Sequence, residues 1–225
     1  MGLSTTDLGS GTGSGMPKTI GPGNHVLKIN SIVLEDFQFI DGAKHLILNV
    51  ETLPIEGFEG FMIDKDDESK GHHKGQIGRV KASQYAFADG ETKSGIKIQR
   101  DRSIMIFLNN MSKTLEFYEW FVNQDNKFNT IEDFVKNFND NAPYKDIEIE
   151  FCIAGKEYMN KSGYVNYDMW LPKAENKTYA YGENVMSYNE AKHLKKMEVK
   201  EVKGFGDDDD DFTTPPKSSS DFNLD

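Results

Sequence analysis

Apolar residues between positions 24 and 172 recur mostly every second residue, which is the period of a half-buried strand. Leu27 and Ile29 alternate with Lys28 and Asn30; the apolar frame then slips by one, to Ile32 and Leu34. A one-residue phase change inside a long strand predicts a bulge that bends it. A turn at Asp41-Gly42 leads into a second strand over 44–52, with Leu46, Leu48 and Val50 on one face. Residues 61–63 read as a short third strand or an extended segment, and 64–74 as an exposed polar loop. Residues 76–87 and 97–108 read as a strand pair joined by a flexible turn over 89–95, with Ile104, Ile106 and Leu108 on the buried side of the second.

The period changes after 113. Leu115, Tyr118, Phe121 and Val122 share one helical face, and Ile131, Phe134, Val135 and Phe138 share another at i, i+3, i+4 and i+7. Thr130 with Asp133 fits a cap at the start of the second helix. The aromatic residues Phe117, Trp120, Phe121, Phe134 and Phe138 read as core, the usual use of such rings. Pro143 closes this part. A strand over 144–153 then carries Ile147, Ile149, Phe151 and Ile153 inward. After a turn at 160–163 a last strand, 164–171, has Val165, Tyr167, Met169 and Leu171 on one face. Its other face holds Tyr164 and Trp170, which would serve as stacking rings or pack under the segment 179–188.

The expected fold class is therefore mainly β, a partly open barrel of five to six strands with a two-helix insertion; a β-sandwich would produce much the same pattern. Residues 1–22 form a Gly/Ser-rich flexible arm, 23–188 the folded domain, and 189–225 a Lys-rich linker running into an acidic tail. Neither end can bury enough apolar surface to offset its ordering entropy.

Charge changes the picture. The 225-residue chain has a net charge of −11; residues 204–225, with seven aspartates and one lysine, carry −6, leaving −5 for the body. Against that background residues 76–108 stand out. They hold the three arginines of the chain, Arg79, Arg100 and Arg102, together with Lys81, Lys93 and Lys97, interleaved with Tyr85 and Phe87. Cations that follow phosphates beside rings that stack bases are the requirements of a single-stranded nucleic-acid site. Ordinary surface lysines on a solvated strand pair would supply the same residue types. The candidate site is Arg79, Lys81, Tyr85, Phe87, Lys97, Arg100, Arg102 and Trp170.

Other chemistry finds little footing. The one cysteine, Cys152, excludes an internal disulfide and suits a reducing compartment. No apolar run approaches the roughly 20 residues of a membrane span, and the start lacks the apolar core of a signal peptide. His72-His73 point to opposite sides of an extended chain, with no further ligand at zinc spacing. Asp66-Asp67-Glu68 lacks the alternate spacing of a calcium loop. No phosphate-binding glycine loop, nucleophile elbow or cysteine–histidine pair marks an enzyme, so no catalytic residue, cofactor or metal is expected.

The element order, a long bent first strand, two more strands, a helical segment and two closing strands, resembles the OB fold. The tail sharpens the likeness. Asp207, Asp208, Asp209, Asp210 and Asp211 followed by Phe212, with Phe222 near the tip, resemble the acidic tails of bacterial and bacteriophage single-stranded DNA-binding proteins. Such tails often end on phenylalanine, whereas Phe222 lies three residues from the end. The resemblance implies a groove that binds single strands without sequence preference during DNA replication, recombination and repair. It implies a tail that competes with DNA and recruits replication or recombination proteins such as a polymerase, primase or helicase. It also implies a cytoplasmic protein, in the host cytoplasm if phage-encoded. The alternatives are a virion structural or assembly protein with no DNA affinity, and a mediator that anneals strands. The oligomeric state is left open, a homo-oligomer included.

Overall fold

The computed structural model describes residues 17–62, 69 and 72–197. The tail residues Asp207, Asp208, Asp209, Asp210, Asp211, Phe212 and Phe222, and positions 1–16 of the arm, lie outside the described residues.

The first strand, β1 (Gly23–Asp36), pairs with two partners along its length. Its outer half lies antiparallel to β2 (Lys44–Thr52), and its first residues, from Gly23 to Leu27, lie antiparallel to β8 (Ile149–Met159). The register against β2 slips between Ile29 and Ser31, so the expected bulge sits at Asn30. β2 continues to β5 (Ile77–Lys81), and β5 runs parallel to β9 (Val165–Trp170) at Val80 and Lys81. β9 returns antiparallel to β8. The order β1-β2-β5-β9-β8 thus closes on β1 as a ring of five strands, and the chain is mainly β. β10 (Leu194–Lys195) adds a short parallel strand beside β8.

Inward residues of the ring form one core with the helices. Leu27, Ile29, Ile32, Leu46, Leu48, Val50, Val80, Ile153 and Met169 are all buried. Over this floor lie α1 (Arg100–Thr114), α2 (Tyr118–Val122) and α3 (Ile131–Asn141). Thr130 caps α3 by accepting from the Asp133 amide, and α3 buries Ile131, Phe134, Val135 and Phe138 as its period requires. Phe138 is the hub: the rings of Phe117, Trp120, Phe134 and Tyr144 lie between 5.2 and 5.9 Å from its own.

Asn139 docks α3 onto β1. Its side chain accepts from the Ile32 amide at 2.8 Å and donates to the Ile32 carbonyl at 2.7 Å, while the Tyr144 hydroxyl donates to the same Asn139 oxygen at 2.6 Å. These backbone groups lie past the end of the β1–β8 ladder. Unsatisfied, each would cost about 1–3 kcal/mol.

Several expectations need correction. Residues 97–108 do not form a long strand: only Lys97–Ile98 is extended, as β7 against β6 (Gly90–Glu91), and α1 follows at once. The run from Ile104 to Leu108 is apolar at every position and so fits either period. Burial of Ile104, Leu108, Met111 and Leu115, with Ile106 51% exposed, follows the helix. The insertion therefore has three helices rather than two. The strand expected over 144–153 begins at Ile149 and runs on to Met159. The polar loop contributes β4 (His72–His73), paired with β3 (Phe61–Met62).

Both ends of the domain reach further than the pattern suggests. Ile20 is buried, and the Ile77 amide donates to the Lys18 carbonyl. Residues read as the start of a linker form α4 (Glu190–His193) and β10, which pack on the body.

Replacing Phe138 with Ala removes the ring on which four others pack. It is expected to lower stability by about 3–5 kcal/mol, read as a shifted urea midpoint with an unchanged slope.

Candidate functional site

The outer face of the ring follows from strand alternation. On β2, Leu46, Leu48 and Val50 turn inward, so His45, Ile47 and Asn49 turn outward; on β5, Ile77, Arg79 and Lys81 do the same beside them. With β1 on one side and β9 on the other, this face is a groove of about 690 Å³. Its apolar floor is Ile47, and its polar groups include Asn30, Asn49, Arg79, Lys81 and Asn166. The strand register puts the β1–β2 turn at the Lys81 end and the β8–β9 turn at the Ile77 end.

The cations of the groove are partnered. Arg79 is ion-paired with Glu35 of β1, and Lys81 with Asp168 of β9 at 2.7 Å. Glu35 stands opposite His45 and Arg79 opposite Asn49, so the first pair reaches diagonally across β2 over Ile47. The four formal charges cancel.

The structure separates the other expected site residues from this pair. Arg100 belongs to a network at the β1–β2 turn. Its guanidinium binds Asp101 at 2.6 Å and donates to the Gly42 carbonyl at 2.8 Å, and Glu132 beside it also pairs with Lys44 at 3.3 Å. Its role there is to hold the turn. Lys97 and Arg102 are exposed on β7 and α1 and do not line the groove. Phe87 is half-buried, exchanging two backbone hydrogen bonds with Lys44. Tyr85 is 74% exposed on the loop that follows β5.

Trp170 requires a correction. It is 7% exposed, with the Lys195 ammonium 5.6 Å from its ring centre, so it lies under the C-terminal segment and offers no free face. Strand alternation placed it outward, and the strap formed by α4 and β10 covers that side.

Sequence reasoning passed over several residues at this site. Tyr158 lines the groove, across the β8–β9 turn from Tyr164, the ring that strand alternation had already marked, which is 71% exposed. Phe39 is 85% exposed on the β1–β2 turn, edge-on to Phe37, which is in turn edge-on to His45. Turn residues beside aromatics were the available signal for Phe39 and Tyr158. Glu35 and Asp168 had none, because their pairing depends on register.

His193 of the strap meets Cys152 of β8, Sγ to Nδ1 3.7 Å. Burial, with Glu150 nearby, pushes the thiol up to about 11, so it stays protonated, and the same Nδ1 accepts from the Asn189 amide at 3.0 Å. Burial also lowers the pKa of both His45 and His193 below the 6.5 of a free imidazole. The unfolded chain then takes up protons first as pH falls. Stability is expected to be full above pH 6.5 and to decline below it; thermal melts at pH 7 and pH 5 check this, and His45→Gln should flatten the dependence.

Among the described residues no helix is long and apolar enough to cross a membrane. No protein-family model, curated protein or solved structure matches this chain.

Proposed function

We propose that the ring is an OB-type barrel and that the chain binds single-stranded DNA without sequence preference through the groove on β2 and β5. The observation that carries this is the position of the groove. It lies on the second and third strands of the ring, between the turn joining the first two strands and the turn joining the last two. OB folds bind oligonucleotides on that face and with those loops. The parallel pairing of β5 with β9 and the return of β8 to β1 are consistent with the same strand order.

The chemistry of the face supports the reading. Arg79 and Lys81 are the groove's phosphate ligands. Tyr158 within it, and Tyr85, Phe39 and Tyr164 around it, offer ring faces for bases, each stacked base contributing about 1–3 kcal/mol. Stacking accepts every base, so sequence preference is weak. Lys97 and Arg102 act outside the groove, as cations that attract the strand.

The acidic tail acts as a tethered competitor and a partner-recruiting segment for replication or recombination proteins. The Met197 amide donates to Glu157 at 3.1 Å, one residue in sequence from the groove-lining Tyr158. A tether of that kind gives an effective concentration in the ~mM range.

Labelled oligo-dT and the matching duplex, titrated by anisotropy from low to moderate salt, test the reading. Tight, salt-sensitive binding to the single strand alone is expected. Replacing Arg79 and Lys81 together with Ala should weaken it by at least about tenfold and reduce the salt slope by up to about 1.4, the limit set by 0.7 per phosphate contact. No binding at low salt, with or without residues 204–225, would overturn the reading in favour of a virion or scaffold role. Deleting 204–225 should tighten binding at low salt; unchanged affinity would remove the competition.

A further inference from the structure

The groove that would bind the strand carries its own counter-ions. Arg79 and Lys81 sit side by side on the outer face of β5, two residues apart, and each is held by a carboxylate from a different flanking strand. Glu35 comes from β1, on the far side of β2, and Asp168 from β9. Across the four strands that make the groove, the lining residues carry charge in the order carboxylate on β1, none on β2, two cations on β5 and carboxylate on β9. Among the charged residues lining the groove, two are cations and two are these carboxylates, so their formal charge sums to zero.

The pairs are accessible. Side-chain exposure is 59% for Arg79 and 46% for Glu35, and 23% for Lys81 and 46% for Asp168. Ion pairs this exposed are weak and exchange readily for another anion. The Arg79–Glu35 pair also spans Ile47, so it lies over apolar floor that a base would use.

We propose that Glu35 and Asp168 form an electrostatic latch that sets the affinity and selectivity of the groove. In the ligand-free protein they neutralise Arg79 and Lys81 and bridge the floor. An incoming strand replaces both carboxylates with phosphates and swings the Arg79 pair off Ile47. Free phosphate can replace only one of them and gains no stacking, and a mononucleotide replaces one and stacks a single base, so the latch favours a continuous strand over both. The inference rests on the reading of this groove as the single-strand site.

The test uses the full chain and three proteins: wild type, the double variant Glu35→Gln with Asp168→Asn, and Glu175→Gln as a control. Glu175 pairs with Lys192 at 3.5 Å away from the groove, so the control removes one carboxylate without touching the latch. Thermal melts establish that each is folded. Anisotropy with labelled oligo-dT over a salt series should show the double variant binding about three- to tenfold more tightly at low salt. Its salt slope should be steeper than wild type, because the freed cations meet phosphates without first giving up a carboxylate. The control should track wild type. Inorganic phosphate should compete with the oligonucleotide measurably better in the double variant.

A wild type that binds the strand, with a folded double variant that binds equally or more weakly, overturns the latch and leaves the binding reading standing. A double variant that binds where wild type does not supports the latch. If neither binds at low salt, the binding reading fails and the latch with it. If the control gains half as much as the double variant on a logarithmic scale, or more, as one removed charge against two would give, the effect is one of net charge and the latch is overturned.

Discussion

β1 is the constraint on which the rest of the structure depends. A single strand must pair with β2 along most of its length and with β8 at its start, and no straight strand serves both. The bulge at Asn30 supplies the bend. Where β8 has ended and β1 continues, Asn139 provides the missing donor and acceptor to Ile32. The same side chain therefore completes the ladder and seats α3 over the ring. Phe138, one residue earlier, inserts into the aromatic cluster, so ring closure and core packing share one stretch of helix.

Among the described residues, several faces of the closed ring are taken. α1 to α3 pack on the core inside the ring, β10 pairs alongside β8, and Lys195 lies over Trp170. The face of β2 and β5 remains open. Its polar character differs from that of a plain cationic patch, because its cations are already paired. On the proposed reading such a face would rely less on raw charge than on exchange of partners and on ring stacking, which suits a body that carries −5. The remaining basic residues divide by role. Arg100 and Lys44 tie the β1–β2 turn to α3 through Glu132, while Lys97 and Arg102 face solvent.

The strand alternation in β1, β2 and β9 was legible, as were the bulge, the α3 face with its Thr130 cap, and the β8–β9 turn. Each is written in residues close together in sequence. The span from Ile104 to Leu108 was not legible, because five consecutive apolar residues carry neither period; what makes it a helix is the core it meets at Ile104, Leu108 and Met111. Trp170 was misplaced for the complementary reason. Alternation put it outward correctly, but a segment more than twenty residues later covers it.

At the site the division is similar. Local sequence determined that Arg79 and Lys81 point the same way, since a strand turns alternate residues to one side. It also determined the composition of the tail and its charge. Only the tertiary structure decided which cations share a groove, because Arg79 and Arg100 lie on different elements facing different neighbours. It also decided that Glu35 and Asp168 hold Arg79 and Lys81. Those pairs join residues 44 and 87 positions apart, and strand register, which depends on how the ring closes, is what brings them together.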